Sequence, residues 1–227
     1  MKRLVLLGEG HGEVSGLPVL ARKLLHDQNA EDRVRVDYDV IRAHNAAGLV
    51  KWDKKRNCDD FSEWRKYLNY AARRKDVGGV LAVFDGDATT FPAGARSPFC
   101  AATAAQRMAL AARDTGAGRT FSLAIVFACV EYETWLVAGA GHQPVAGKPV
   151  LFPGKAFPVG DPESHGKGWI ERNLGSYRPT RDQKRLTELL DLDTVRAKGL
   201  RSFARLEHAF AQLLDAIDSG SHTSSPS

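Results

Sequence analysis

Short apolar runs alternate along the chain with segments whose apolar residues recur every third or fourth position. A short apolar run bounded by glycine or polar residues is typical of a strand covered on both faces, and the longer spacing is typical of an amphipathic helix. The segment 33–43 instead alternates apolar and charged residues strictly, which predicts a strand with one face exposed to solvent or a strand at the edge of a sheet. On this basis the predicted strands are residues 4–7, 33–43, 80–84 and 121–130, and the predicted helices are residues 17–25, 60–75, 101–113, 134–138, 181–190 and 202–217.

The order of these elements predicts an α/β fold. Strands that alternate with helices favour a four-stranded, mostly parallel, Rossmann-like sheet flanked by helices. Residues 1–140 contain this pattern and are expected to form the core. Residues 141–218 are expected to form a loop-rich and helical C-terminal extension packed on that core, because 139–168 are rich in glycine and proline and helical spacing returns after them. The serine-rich residues 219–227 predict a disordered tail.

The turn after the first strand combines glycines with acids. Gly8 and Gly10 match the first two glycines of the dinucleotide-binding fingerprint, but the last glycine position holds Glu13. A carboxylate there would repel a pyrophosphate bound at the positive end of the helix. The turn therefore does not predict a nucleotide cofactor, and Glu9 within it favours a bound cation.

Composition excludes several classes of protein. With 227 residues, 43% of them apolar and 26% charged, the chain is long enough for one well-buried core. It has neither an apolar run of the roughly 20 residues that a membrane helix needs nor an N-terminal signal pattern. No membrane association and a cytoplasmic location are therefore expected. The net charge of +5 permits a polyanionic partner, and the three cysteines lack the spacing of a metal site.

Acidic residues follow three of the four predicted strands. Glu9 follows the first strand, Asp85 and Asp87 follow the third, and Glu131 and Glu133 follow the fourth. In a parallel sheet these positions meet outside the carboxyl ends of the strands. Carboxylates gathered there would repel one another unless a cation compensates them. Hard oxygen ligands without histidine or cysteine partners favour magnesium or manganese over zinc.

Each acidic group also has a purely structural interpretation. An Asp-Gly-Asp sequence after a strand is typical of a turn stabilised by its own side chains. Glu13 would be a favourable charge in the first turn of a helix, and Glu131 and Glu133 would serve equally at the start of the next helix. The metal hypothesis rests on the three groups taken together.

Three motifs carry a family resemblance, and they are Gly8-Glu9-Gly10-His11-Gly12-Glu13, Phe84-Asp85-Gly86-Asp87 and Glu131-Tyr132-Glu133. In this order they resemble the Toprim domain. The likeness is strongest to the branch found in OLD-family nucleases and to a small bacterial family of unknown function built on the same core. It covers roughly residues 1–140.

The resemblance implies a metal-dependent nuclease with two ions, Mg²⁺ or Mn²⁺. Catalysis would depend on Glu9, Asp85 and Asp87, together with a basic residue that stabilises the charge developing on the phosphate. The candidates for that residue are Lys155, Lys167 and Lys184, of which Lys184 is preferred. The residues that would bind the two ions are Glu9, Glu13, Asp85, Asp87, Glu131 and Glu133.

Two basic segments, residues 51–75 and 178–205, predict a surface for nucleic acid. Both contain aromatic residues, and Trp52 lies in a predicted loop over residues 46–57, where it could contact a base. A run of charge is also typical of an ordinary solvated face. Binding to a polyanion would weaken steeply with salt. The candidate binding residues are Lys51, Trp52, Lys54, Lys55, Arg178 and Arg181.

These observations leave three functions open. The first is a metal-dependent nuclease or phosphodiesterase, with DNA expected ahead of RNA, in defence against phage or foreign DNA or in repair. The second is a haloacid-dehalogenase-type phosphatase with Asp85 as its nucleophile, although that motif usually follows the first strand. The third is a Toprim-like protein that binds nucleic acid or assembles complexes without catalysis. A partner protein such as an ATPase and an oligomeric state are compatible with each.

Overall fold

The structure is a computed structural model that describes residues 1–92, 98–139 and 166–226. It has strands β1 (Lys2–Gly8), β2 (Val34–Val36), β3 (Ile41–Arg42), β4 (Lys51–Asp53), β5 (Cys58–Asp60), β6 (Val77–Asp85), β7 (Ser122–Ala128) and β8 (Ser224–Pro226). It has helices α1 (His11–Asp27), α2 (Ala46–Leu49), α3 (Ser62–Ala72), α4 (Ala101–Ala112), α5 (Glu133–Gly139), α6 (Gly166–Leu174), α7 (Pro179–Leu189), α8 (Leu192–Ala197) and α9 (Arg201–Ser219), with a 3-10 turn at Arg113–Thr115. The predicted α/β class is confirmed, but the main sheet has six strands in the described residues instead of the predicted four, because the second predicted strand is divided and the C-terminal tail adds a strand.

The main sheet is parallel throughout the described residues, in the order β2-β1-β6-β7-β8, and β3 pairs with the end of β1. Strand β6 lies at its centre. Successive side chains of a strand point to opposite faces, so Val80, Ala82 and Phe84 join one apolar cluster and Leu81 and Val83 join the other. This double burial explains why the strand is an uninterrupted apolar run in the sequence.

Helices cover both faces of the sheet. Trp64 of α3 and Met108 of α4 pack in the cluster on one face. On the other face, Leu17 of α1 shares a cluster with Leu186 of α7 and Phe210 of α9. The C-terminal helices are therefore a layer of the same core. The predicted boundary at residue 140, like residues 140–165 of the predicted excursion, lies outside the described residues.

The second predicted strand is interrupted. Its edge position is confirmed, but the chain leaves the sheet between β2 and β3 at Asp37. This buried carboxylate accepts hydrogen bonds from Arg74 at 2.6 Å and from Arg3 at 3.2 Å, and the backbone N–H of Asp39 donates to it at 3.3 Å. The charged positions of the alternating pattern thus build an ion-pair cluster that bends the strand.

Replacing Asp37 by asparagine is expected to lower the free energy of unfolding by roughly 2 kcal/mol at neutral pH, because charged hydrogen bonds are lost. Burial raises the pKa of Asp37, but hydrogen bonds from Arg74 and Arg3 outweigh it and hold the pKa below the ordinary 3.8. The stabilisation is therefore present at neutral pH and lost as the pH falls through the lowered pKa. Urea unfolding at neutral and acidic pH measures the difference, with Asp32→Asn as the control, because Asp32 is exposed and lies outside this ion-pair cluster. Equal stabilities at neutral pH would contradict the assignment.

Two further expectations need correction. The basic segment predicted as a loop over 46–57 contains the short helix α2 and most of the antiparallel hairpin β4–β5. The tail predicted as disordered contributes β8, which pairs with β7 and is anchored by a hydrogen bond from Ser224 Oγ to the carbonyl of Ala109 at 3.1 Å. A polar tail segment gives no apolar pattern from which such a strand could be predicted. None of the described helices is long and apolar enough to cross a membrane.

Candidate active site at the carboxyl ends of β1, β6 and β7

The topology creates a crevice at the ends of β1 and β6. The chain pairs β2 and β3 on one side of β1 and β6 on the other, and ligands of open α/β sheets bind where the strand order reverses in this way. Glu9 directly follows β1, and Asp85 is the last residue of β6. The backbone N–H of Asp85 donates to Glu9 Oε2 at 3.4 Å. The structure thus brings together the first two predicted acids.

The glycines of the first turn allow close approach of side chains. A Cβ at Gly10 would collide with the carboxylate of Glu13, and a Cβ at Gly12 would collide with the amide of Gln183 on α7. Gln183 Nε2 donates to Glu13 Oε1 at 3.4 Å, while Glu13 Oε2 is buried without a hydrogen-bond partner. The turn therefore directs Glu13 inward and lets α7 pack over α1.

Asp85 is held by the segment that follows β7. The backbone N–H of Tyr132 donates to Asp85 Oδ1 at 2.8 Å. Between β7 and α5, Val130 has a φ of +61°, an unfavourable conformation for a β-branched residue, and its carbonyl accepts from Gly86 N–H at 3.0 Å. The strained bend brings the start of α5 against Asp85. Asp87 is exposed at the rim of the same site.

The two acids after β7 are bound by groups of helix α6 and of the segment between α6 and α7. Glu131 Oε2 accepts the backbone N–H of Lys167 at 2.9 Å, and Glu133 Oε1 accepts the hydroxyl of Tyr177 at 2.8 Å. Glu133 is fully buried, and its Oε2 has no hydrogen-bond partner. The structure therefore gives both acids partners within the protein.

Lys167 is the basic residue that the structure places among the acids. Its Nζ lies 3.6 Å from Asp85 Oδ2 and 3.8 Å from Glu133 Oε2. The preferred candidate, Lys184, is instead exposed on α7, where its Nζ lies 3.9 Å from Glu188 of the same helix. Lys155 lies outside the described residues. The preference for Lys184 is therefore not supported by the geometry.

Burial and mutual repulsion make this site hard to charge. Burial first, and then the charge of Asp85, raise the pKa of Glu9 to about 8. Burial and the charge of Glu13 raise the pKa of Asp85 to about 7, and burial raises the pKa of Glu133 to about 7. Against this, the carboxylates of Glu133 and Asp85 hold the pKa of Lys167 above its ordinary value despite its partial burial. The single ammonium group balances only part of the negative charge.

The predicted nucleic-acid residues fall in two places. Lys51 lines an open depression beside Glu9. Lys54 and Lys55 are exposed in the hairpin turn, and Trp52 is partly buried in β4. The remaining two lie at the start of α7, where Arg178 is exposed and Arg181 donates to both carboxylate oxygens of Asp182.

Several residues at the site were not predicted. Gln183 reaches Glu13 from α7, and the buried Tyr177 bonds Glu133 although the sequence places it in a basic, surface-like segment. The buried hydroxyls of Tyr132 and Thr187 are hydrogen-bonded to each other, with 3.1 Å between their oxygens. Lys167, by contrast, was among the three lysine candidates, and it lies between two glycines in the sequence. A Cβ at Gly166 would lie 2.6 Å from the backbone of α5, so this glycine allows α6 to approach the site closely.

Comparisons with protein-family models, with curated proteins and with solved structures found no match to this chain. Within the described residues, no three carboxylate, histidine or cysteine side chains converge into a ready-made metal site. The function is therefore inferred from the chemistry of the site itself.

Proposed function

We propose that the protein is a metal-dependent hydrolase of phosphodiesters in nucleic acid. The observation that carries the proposal is the crevice between β1 and β6, where Glu9 accepts the backbone N–H of Asp85 and lies with the buried carboxylates of Glu13 and Asp85. Burial and the neighbouring negative charges raise the pKa of Glu9 and of Asp85. Such an arrangement is unfavourable by itself, and a bound cation would stabilise it. Its position at the switch in strand order is where catalytic groups of this fold class gather.

The donor set fits a hard divalent ion. The four acids proposed as ligands offer carboxylate oxygens, the type that Mg²⁺ and Mn²⁺ prefer. The buried Glu13 Oε2 has no hydrogen-bond partner within the described residues, which is unusual for a native polar atom and suits an oxygen that ligates a cation. The residues that would hold the ion are Glu9, Glu13, Asp85 and Asp87. Glu131 accepts a backbone N–H, and the Oε2 of Glu133 that lacks a hydrogen bond lies 3.8 Å from the ammonium of Lys167. The second ion therefore remains a prediction from the family resemblance.

Bound there, the ion would act as a Lewis acid and lower the pKa of a water molecule. The protein's own contribution is electrostatic. Lys167 Nζ lies beside Asp85 and can stabilise negative charge that develops on a phosphoryl group. The backbone N–H of Tyr132 fixes the orientation of Asp85, so the carboxylate is positioned before substrate binds.

Nucleic acid is the substrate class that suits the surroundings. The chain carries a net charge of +5, and Lys51 places positive charge in the depression next to Glu9. Both the net positive charge and the position of Lys51 would strengthen the binding of a polyanion. The resemblance of the motifs to the Toprim domain of OLD-family nucleases supports the same choice, with DNA ahead of RNA and a role in defence or repair.

Purified protein is expected to cut plasmid or oligonucleotide DNA with Mg²⁺ or Mn²⁺, and EDTA is expected to abolish the cleavage. Gel electrophoresis of labelled DNA and RNA measures both, with the metal varied at constant ionic strength. An absence of cleavage at saturating metal would contradict the proposal. A phosphorylated Asp85 trapped with fluoride salts would instead favour the phosphatase, and EDTA-insensitive binding without turnover would favour the non-catalytic protein.

A further inference from the structure

An open depression of about 540 Å³ lies beside the candidate active site and is not used by the chemistry proposed above. Glu9 is one of its lining residues, so the depression opens onto the acids. Away from Glu9 the lining is basic or polar. The side chains that give it this character are His11, Arg42, His44, Asn45 and Lys51.

Arg42 is the central cation of this depression. It is the last residue of β3 and pairs in register with Gly8, the residue before Glu9. Neighbouring strands are roughly 4.8 Å apart, so Arg42 is one strand spacing from the acidic turn. Its exposed guanidinium contacts Nε2 of His11. A guanidinium has five N–H donors, and this contact engages only part of them, so the other donors remain for a ligand.

The bonding of Arg42 differs from that of the arginines that build ion pairs elsewhere in the molecule. Arg3, at the opposite end of β1, and Arg74 both donate to Asp37, and Arg196 donates to three carboxylates. Arg42 has no carboxylate partner anywhere in the described parts of the chain. An exposed guanidinium without a counter-charge, next to a site that would process phosphodiesters, is suited to an anion supplied by the substrate.

Building on the proposed function, we propose that this depression binds a backbone phosphate of a polynucleotide adjacent to the phosphodiester that is cut, and that Arg42 clamps it. A guanidinium presents paired donors that match two phosphate oxygens. Lys51 adds a second positive charge at the hairpin side of the depression. A small phosphodiester has no neighbouring phosphate to place there, so the substrate is a nucleic-acid strand and not a free nucleotide.

The test compares two substrates in the full-length protein. Arg42→Ala is expected to raise KM for a single-stranded oligonucleotide at least about tenfold, and to change the hydrolysis of bis(p-nitrophenyl) phosphate far less. Arg42→Lys keeps the charge without the paired donors and should fall between. The matched control is Arg35→Ala, since Arg35 is an exposed arginine on the same edge of the sheet, in register with Arg3 at the other end of β1. It should behave as wild type.

A binding measurement separates this inference from the proposed function. In an Asp85→Asn background, fluorescence anisotropy of a labelled oligonucleotide should show that Arg42→Ala weakens binding about tenfold and reduces the slope of log K against log salt by about one. If wild type cuts nothing but this binding loss is seen, the proposed function fails and the phosphate site stands. If wild type cuts nucleic acid while Arg42→Ala matches Arg35→Ala in both KM and binding, the phosphate site is overturned. Competition by inorganic phosphate as strong as by the oligonucleotide would also overturn it, because a free anion would then be sufficient.

Discussion

Replacing Lys167 by methionine is expected to lower kcat for metal-dependent cleavage about 10²- to 10³-fold, the usual loss when one preorganised charge-stabilising group is removed. The ammonium lies 3.6 Å from Asp85 and 3.8 Å from Glu133, beside the carboxylates that would bind the cation. Methionine keeps much of the length and apolar stem of the side chain, so the packing of α6 should change little. KM for the oligonucleotide should change much less than kcat, because substrate phosphates outside the reacting centre are bound elsewhere.

Lys184→Met is the matched control for that experiment. Both residues are lysines of the C-terminal helices, but the side chain of Lys184 is 56% exposed and pairs only with Glu188 on its own helix. Its replacement should leave kcat unchanged, and thermal unfolding should confirm that both variants fold. If Lys184→Met lost activity while Lys167→Met retained it, the assignment of the charge-stabilising lysine would be wrong.

The backbone that carries the site could be predicted because strand order and burial are encoded locally. Apolar runs such as 80–84 identify buried strands, and the parallel arrangement places the residues that follow them at one edge of the sheet. This reasoning placed Glu9 next to Asp85, and the structure shows the hydrogen bond between them. The burial that raises their pKa values follows from the same topology.

The groups that complete the site could not be predicted, because they come from helices that are distant in sequence and are positioned by packing. Gln183 reaches Glu13 only because Gly12 lets α7 lie close to α1. Lys167 reaches Asp85 only because Gly166 lets α6 lie against α5. Periodicity reports which face of a helix is buried, but it does not report against which neighbour. For this reason the sequence could not show that Lys167 lies beside the acids while Lys184 lies away from them.

Replacing Asp85 by asparagine is expected to have two effects of opposite direction. Metal-dependent cleavage should fall by at least about 10³-fold, because a central carboxylate of the proposed ion site is lost. The metal-free protein should become more stable near pH 8. Burial and the charge of Glu13 raise the pKa of Asp85 to about 7, so its contribution to stability is present at acidic pH and is lost as the pH rises through 7. Because asparagine does not ionise, the free energy of unfolding of Asp85→Asn should exceed that of wild type by roughly 2 kcal/mol near pH 8 and by almost nothing near pH 4.

Addition of Mg²⁺ or Mn²⁺ distinguishes a site built for a cation from an accidental cluster of buried acids. A ligand at about 100 times its dissociation constant stabilises the folded state by about 2.7 kcal/mol. Wild type should gain this near pH 8, when its carboxylates can ionise, and much less at acidic pH, whereas Asp85→Asn should gain little at either. Urea unfolding with and without metal measures this gain for each of the two proteins at each pH, with the exposed Asp114→Asn as the control.

If wild type and Asp85→Asn show superimposable stability curves from acidic to alkaline pH, Asp85 does not carry the unfavourable charge. If their curves differ as expected but metal stabilises neither, the acids repel one another without serving as a metal site. A gain confined to wild type at higher pH would show that the unfavourable charge is retained because it binds the ion.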